Sequence, residues 1–271
     1  MIVSWRAGDI IRVVTARDLG HSLGVPSLIV TAAALAVGVL SAGATSPPAD
    51  GPRPSQLAGS LGPGPRDPLI PASRVAAPAP AAPPAWAASL LSGSIPAASS
   101  QVIIVRSQSV SSTTNTVSLW TRAGTGWRED GTRLPGHDGE RGWSAHRSAG
   151  DLRTPLGVYS LTYAGGRLPN PGTREPYEYS SSYFHTAGRF LGHSTFGVFD
   201  YVVAIDFNRV PGSPVSSTDQ PNGPQPGGDV WLHVDNGAPT LACVTVPRSA
   251  MVAILKWLDP SQHPVIVLHA G

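Results

Sequence analysis

The chain has 271 residues, enough for one sizeable domain with appended segments. Its formal charge is +2 and it has no Lys/Arg block, which excludes a phosphate-tracking surface, so no nucleic-acid partner is expected; mild basicity suits an anionic polymer such as a cell wall. Charged residues make up only 13%, and the 30 Gly and 28 Pro are spread unevenly, so composition divides the chain into unlike parts.

The N-terminus carries Arg6, Arg12 and Arg17, followed by the uncharged apolar run "VPSLIVTAAALAVGVLSAGA". A positive flank before an apolar stretch is the pattern of an export signal or a signal anchor, which predicts an exported, cell-envelope protein. Ala42 and Ala44 offer small residues for cleavage. If uncleaved, a run of about 20 residues is just long enough to hold the chain in a membrane. Residues 1–44 are therefore read as one segment, an apolar helix. Residues 45–100 are rich in Pro, Ala, Gly and Ser with few aromatics. Such a stretch buries too little apolar area to offset its ordering entropy, which predicts a disordered, semi-stiff linker.

The folded domain is expected over 101–271. "QVIIVRS" and "TVSLWTR" read as strands, with "GTGWRED" as a hairpin-like turn. "TPLGVYSLTYA" (154–164) reads as a strand, and "FGVFDYVVAIDFN" (196–208) as a central one. Residues 215–229 read as a loop, and "DVWLHV" as a short strand ending at His233. Only "RSAMVAILKWL" shows helical spacing, with Met251, Ile254, Leu255 and Leu258 on one face between Pro247 and Asp259-Pro260. "PVIVLH" closes the chain as a strand. Many short strands and one good helix imply a mainly β domain, a sandwich or mixed sheet with one or few short helices.

The stretch "HVDNGAPTLACVTVP" (233–247) holds the chain's one cysteine. An exported chain with an odd cysteine carries an unpaired thiol, free to react or to bridge another molecule. Catalysis by a thiol needs a base, a group that fixes the base's tautomer, and N–H donors for the oxyanion. A strand end can hold His233 rigidly. A Gly- and Pro-containing loop can deliver Cys243 beside it, with the N–H groups of Ala242 and Cys243 facing a substrate oxygen. Spacing alone leaves a second reading open, because free cysteine is among the most buried residue types.

"VWLHVDNGAPTLACVTVP…MVAILKWLDPSQHPVIVLH" resembles the catalytic segment of actinobacterial L,D-transpeptidase catalytic-domain proteins: a strand ending in His, a G-x-P-T-x-G-C-V loop, a helix and a final apolar strand. "GWSAHRSAGDLRTPLGVYSL", "PNPGTREPY" and "YVVAIDFN" are similar to upstream pieces of that family, so the resemblance covers roughly 101–270. It implies an L,D-transpeptidase-like fold, Cys243 as nucleophile and His233 as its base. The Val234 carbonyl would orient the ring. Thr240 matches the Ser/Thr before the cysteine, and Ala242 the glycine whose N–H helps form the oxyanion hole. The implied reaction is acyl transfer from a peptidoglycan tetrapeptide stem to an amine acceptor, giving a cross-link between third-position residues, or to water. A catalytically weak cell-wall-binding domain of the same fold is the alternative, and a Cys-His hydrolase of another acyl substrate is a third.

The chain departs from the better-known motif, which has His-Gly before the cysteine where this chain has Leu241-Ala242. A Cβ at Ala242 is costly if that position needs positive φ. Thr245 stands where Arg or Asn is typical. Leu241, Thr245, His185 and His193 are candidate cleft residues. His137, His146, His185 and His193 match no zinc spacing and no H-E-x-x-H occurs, so no metal or cofactor is expected. Asp151 is read as a loop brace through turn hydrogen bonds or as a surface partner of Arg153. Trp120, Trp127, Trp143 and Trp231 are read as core before sugar platform.

Overall fold

The computed structural model describes residues 82–271. The apolar run 25–44 and the stretch 45–81 lie outside the described residues. Among those described, no helix is long and apolar enough to cross a membrane.

In chain order the elements are α1 (Ala85–Gly93), β1 (Gln101–Ser107), β2 (Thr114–Ala123), β3 (Gly126–His137), β4 (Trp143–Ser144), β5 (Thr154–Pro155), β6 (Gly157–Ser160), β7 (Ala164–Gly166), β8 (Tyr177–Tyr179), β9 (Arg189–Phe190), β10 (His193–Ser194), β11 (Val202–Ala204), β12 (Trp231–Val234), β13 (Val244–Val246), α2 (Arg248–Trp257) and β14 (Val265–Ala270), with a 3-10 turn at Pro260–Gln262. The domain is mainly β, as its short alternating apolar runs predict. Two five-stranded sheets dominate it. The first has order β3-β2-β1-β14-β6 and the second β13-β12-β11-β7-β8. Each mixes antiparallel with parallel pairs: β1 runs parallel to β14, and β12 to β13.

Side-chain parity explains how the sheets pack. Successive residues of a strand face opposite sides. In β1, Ile103 and Val105 enter the main core, while Val102 and Ile104 join a second cluster on the other face. In β12, Leu232 and Val234 enter the main core, which also takes Met251, Ile254 and Leu255 of α2 and Ile266 of β14. Trp231 and His233 therefore point to the outer face of the second sheet. Trp231 packs there with Phe184, Val202, Phe199 and Cys243.

Three expectations are corrected. The linker predicted over 45–100 does not extend to Gln101, because residues 85–93 form α1 and bury Ala87 and Leu91 against the first sheet. Trp86 packs edge-on to Trp120, at 6.4 Å between ring centroids, and lies under the guanidinium groups of Arg106 and Arg133. The strand predicted over 154–164 is broken into β5 and β6, with Leu156 between them and Gly157, at φ 147, opening β6. The long strand predicted over 196–208 reduces to Val202–Ala204. Its flanks are pulled out of register by polar anchors: Asp200 pairs with Arg167 and Arg248, and Asp206 accepts from Ser160 and Thr162. The four tryptophans are 9% exposed or less, which makes them core.

Candidate active site

Parallel pairing of β12 with β13 brings the two ends of the 233–247 stretch together. His233 lies opposite Thr245 and Leu232 opposite Val244. One step earlier, Trp231 lies beside Cys243, and the Trp231 N–H donates to Sγ at 3.4 Å. Cys243 and His233 thus share the outer face of the second sheet, one pleat repeat apart.

His233 is buried. Its Nδ1 lies 3.0 Å from the Val234 carbonyl oxygen. A carbonyl only accepts, so Nδ1 carries the proton and Nε2 is left as the basic nitrogen of the neutral ring. Phe199 meets the ring edge-on at 5.1 Å. Burial lowers the imidazole pKa to about 4, against the opposing pull of the Val234 carbonyl and Asp235. Cys243 is partly exposed. Its thiol donates towards the Asp229 carbonyl at 3.6 Å, and burial raises its pKa to about 11, although the Trp231 N–H and the Arg147 charge oppose the rise. The resting pair is therefore a thiol and a neutral imidazole. No hydrogen bond joins them among the described residues.

The loop between the two strands is built from turn chemistry and pinned at both ends. The Asp235 carboxylate accepts from the Gly237 N–H at 3.1 Å, and Gly237 turns the chain at φ 77. Further on, the Thr240 N–H donates to the Asp138 carbonyl, and the Glu140 N–H to the Thr240 carbonyl. The Thr240 hydroxyl donates to the Cys243 carbonyl at 2.6 Å. Thr240 is thus the brace of the loop that carries Cys243. Leu241 is partly exposed on it.

Ala242 needs no left-handed backbone. The non-glycine residues with positive φ among those described are Leu152, Leu191, Asn208, Asp229 and His263. The Ala242 side chain is buried in the main core. Among the described residues, the N–H groups of Ala242 and Cys243 donate to no protein acceptor. An oxyanion hole needs N–H donors of this kind.

Thr245 is a correction. It is fully buried and lines no cleft. Its hydroxyl accepts from the His137 N–H and donates to Asp235 at 2.7 Å, and the His137 ring pairs with the same carboxylate at 2.7 Å. Burial alone would raise the Asp235 pKa, but the bonds from Thr245 and His137 outweigh it and hold the group below the usual carboxylate range. His193 lies in the β9–β10 hairpin, where its Nδ1 donates to the Asn236 carbonyl at 3.3 Å, while the Asn236 amide donates to the Ser194 carbonyl at 2.8 Å. The hairpin is thereby latched to the loop after His233. His185 is exposed and packs edge-on to Phe196, without a bond to His233 or Cys243. Asp151 braces its own loop by accepting from the N–H groups of Ser148 and Arg153.

Sequence reasoning missed Asp138, Asp235 and the structural role of His137. Asp235 sits two residues after His233, but nothing local marks it as a ligand for a histidine 98 residues away. Asp138 is fully buried and takes hydrogen bonds from Ser107 and Asn115, each at 2.5 Å. Burial raises its pKa to about 6 against those bonds. Among the described residues, no three His, Cys, Asp or Glu side chains converge to hold a metal ion.

No family model matches the chain, and no curated protein matches it. Two solved structures align with it, the helical cell shape determining protein Pgp2 from Campylobacter jejuni and a point mutant of it. They are 13% and 16% identical, with TM-scores of 0.37 and 0.36, and each alignment covers 63% of this chain and 48% of that one. The chain thus spans about half the length of those structures.

Proposed function

We propose that the protein is an exported cell-wall enzyme that transfers an acyl group through Cys243, in the manner of the peptidoglycan L,D-transpeptidases. One observation carries the reading: a partly exposed thiol shares a sheet face with an Nδ1-protonated histidine and is flanked by the unused N–H groups of Ala242 and Cys243.

His233 Nε2 takes the thiol proton as Sγ attacks the carbonyl carbon of the third stem residue. Negative charge moves to the carbonyl oxygen, towards the two N–H donors. Collapse breaks the amide bond. The leaving D-Ala nitrogen takes the proton from His233, and a thioester remains. An amine of a neighbouring stem then attacks the thioester and gives a proton to His233; the C–S bond breaks, His233 passes that proton to the departing sulfur, and the cross-link forms. Water in place of the amine gives a shortened stem. Peptidoglycan stems are the partner of this reaction, and an uncleaved N-terminal run would place it at a membrane.

The test is covalent. After incubation with a carbapenem, the full chain should gain the mass of one adduct, and Cys243→Ala should gain none. No adduct on the wild type would sink the reading. A second reading has its own observation, since the thiol bonds to Asp229 and not to His233. On that reading the domain binds cell wall without reacting, and wild type and Cys243→Ala would bind sacculi equally while neither forms an adduct.

A further inference from the structure

Arg147 lies in the loop between β4 and β5 and is 8% exposed. Its Nε and Nη1 are buried and have no hydrogen-bond partner. Among the described residues the one carboxylate within ion-pair distance is Asp151, whose Oδ1 is 3.8 Å from Nε, beyond hydrogen-bond reach. Both Asp151 oxygens are already engaged, with the backbone N–H groups of Arg153 and Ser148. The Phe207 ring lies 5.4 Å from the guanidinium carbon. A guanidinium does not lose its proton in a protein. Burying one with donors unused is costly, and native structures keep such groups where something else completes them.

The position of this cation is set by the loop that also holds the thiol. The Ala149 N–H donates to the Gln225 carbonyl, and the Gln225 amide to the Ser148 hydroxyl, each at 2.8 Å. Gly227 then passes so close to the guanidinium that a Cβ there would lie 3.3 Å from Nη2. Two residues on, the Asp229 carbonyl takes the Cys243 thiol. The Arg147 charge is felt at that sulfur, where it opposes the rise that burial causes.

We propose that Arg147 is a specificity residue whose free N–H groups bind the terminal carboxylate of the acyl donor, one residue beyond the bond that Cys243 attacks. The proposal rests on Cys243 as the acyl-accepting nucleophile and deepens that reading. In a donor that ends one residue past the scissile bond, the carboxylate carbon is three bonds from the attacked carbonyl carbon, within about 4 Å. An anion site beside the thiol therefore selects donors with a free carboxylate at that place. Arginine suits the task because its planar fork meets a carboxylate with two parallel bonds. Donors that are amidated there, or extended by further residues, put no charge at the site and leave the guanidinium unpaired.

Two thiol reagents of similar size and opposite demand test the anion site without any assumption about the reaction. Iodoacetate carries a carboxylate and iodoacetamide a neutral amide; both alkylate sulfur with loss of iodide. In the full-length chain, the iodoacetate-to-iodoacetamide rate ratio at Cys243 should exceed that of free cysteine by about tenfold or more. It should collapse towards the free-cysteine ratio in Arg147→Met and be partly kept in Arg147→Lys. The wild-type ratio needs no variant, so it tests the anion site even if Arg147→Met misfolds. A wild-type ratio equal to that of free cysteine overturns the proposal. Turnover provides the second arm. kcat/KM for a tetrapeptide with a free terminal carboxylate should exceed that for its C-terminal amide by about tenfold, with the gap lost in Arg147→Met. Equal turnover of acid and amide overturns the Arg147 assignment and leaves the acyl-transfer reading standing. No turnover of either, with the alkylation preference intact, overturns acyl transfer and leaves the anion site standing.

Discussion

At the scale of single residues, Ala242 and Cys243 decide what the loop between β12 and β13 can do. A glycine in that place is expected only if the backbone is left-handed there, and it is not. The Ala242 methyl is core, so Ala242→Gly should lower stability by about 1–2 kcal/mol, through lost burial and added backbone entropy, without raising the rate of acylation. Thermal melts and adduct kinetics on the same variant check both halves. For Cys243, burial raises the thiol pKa to about 11, and for His233 burial lowers the imidazole pKa to about 4. The thiolate is therefore scarce at neutral pH, and on the proposed mechanism it forms by proton transfer during attack. Iodoacetamide alkylation of Cys243 should keep rising with pH through the alkaline range. A plateau between about pH 6 and 8, the range in which an ordinary imidazole titrates, would indicate a preformed thiolate–imidazolium pair and contradict this picture.

At the scale of elements, β3 and β13 meet at a contact only a glycine permits. A Cβ at Gly136 would stand 1.8 Å from the Thr245 carbonyl oxygen, which is backbone and has nowhere to go. Gly136→Ala should destabilise the domain by several kcal/mol or prevent folding, as a denaturant melt would show. α1 gives a milder case. Trp86→Ala removes the edge contact to Trp120 and the stacking of Arg106 and Arg133, and should cost about 2 kcal/mol. The elements differ in how plainly their residues announce them. β1, β2, β12, α2 and β14 were legible because each is a continuous apolar run or an amphipathic face. α1 was hidden because its apolar residues sit among Pro, Ala and Ser that read as linker. The breaks around β6 and β11 were hidden because they follow from Asp200 and Asp206 reaching residues far away in sequence. The return of the Gly- and Pro-containing loop that brings Cys243 back to the His233 strand was legible, whereas Asp138, Asp235 and Arg147 act through partners that no local spacing reveals.

At the scale of the whole molecule, Asp138 ties the first sheet to the loop that carries Cys243. Its side chain takes Ser107 and Asn115 from β1 and β2, and its backbone holds Thr240. Burial raises its folded pKa to about 6, above the ordinary value. A carboxyl raised in this way contributes stability that is fully present below its unfolded pKa of about 4 and is lost as pH rises through about 6. The loss attributable to Asp138 is on the order of 2–3 kcal/mol. The difference in unfolding free energy between wild type and Asp138→Asn should therefore change over about pH 4–6 and be flat above it. A difference that is flat across the whole window would mean that Asp138 does not titrate there. The central claim is acyl transfer by Cys243, and its most direct measurement is the fate of a tetrapeptide stem. Incubated with the protein, the stem should release D-Ala and yield either a dimer cross-linked between third-position residues or a tripeptide, and Cys243→Ala should release none. Binding of the stem by the wild-type protein without release of D-Ala would contradict the account.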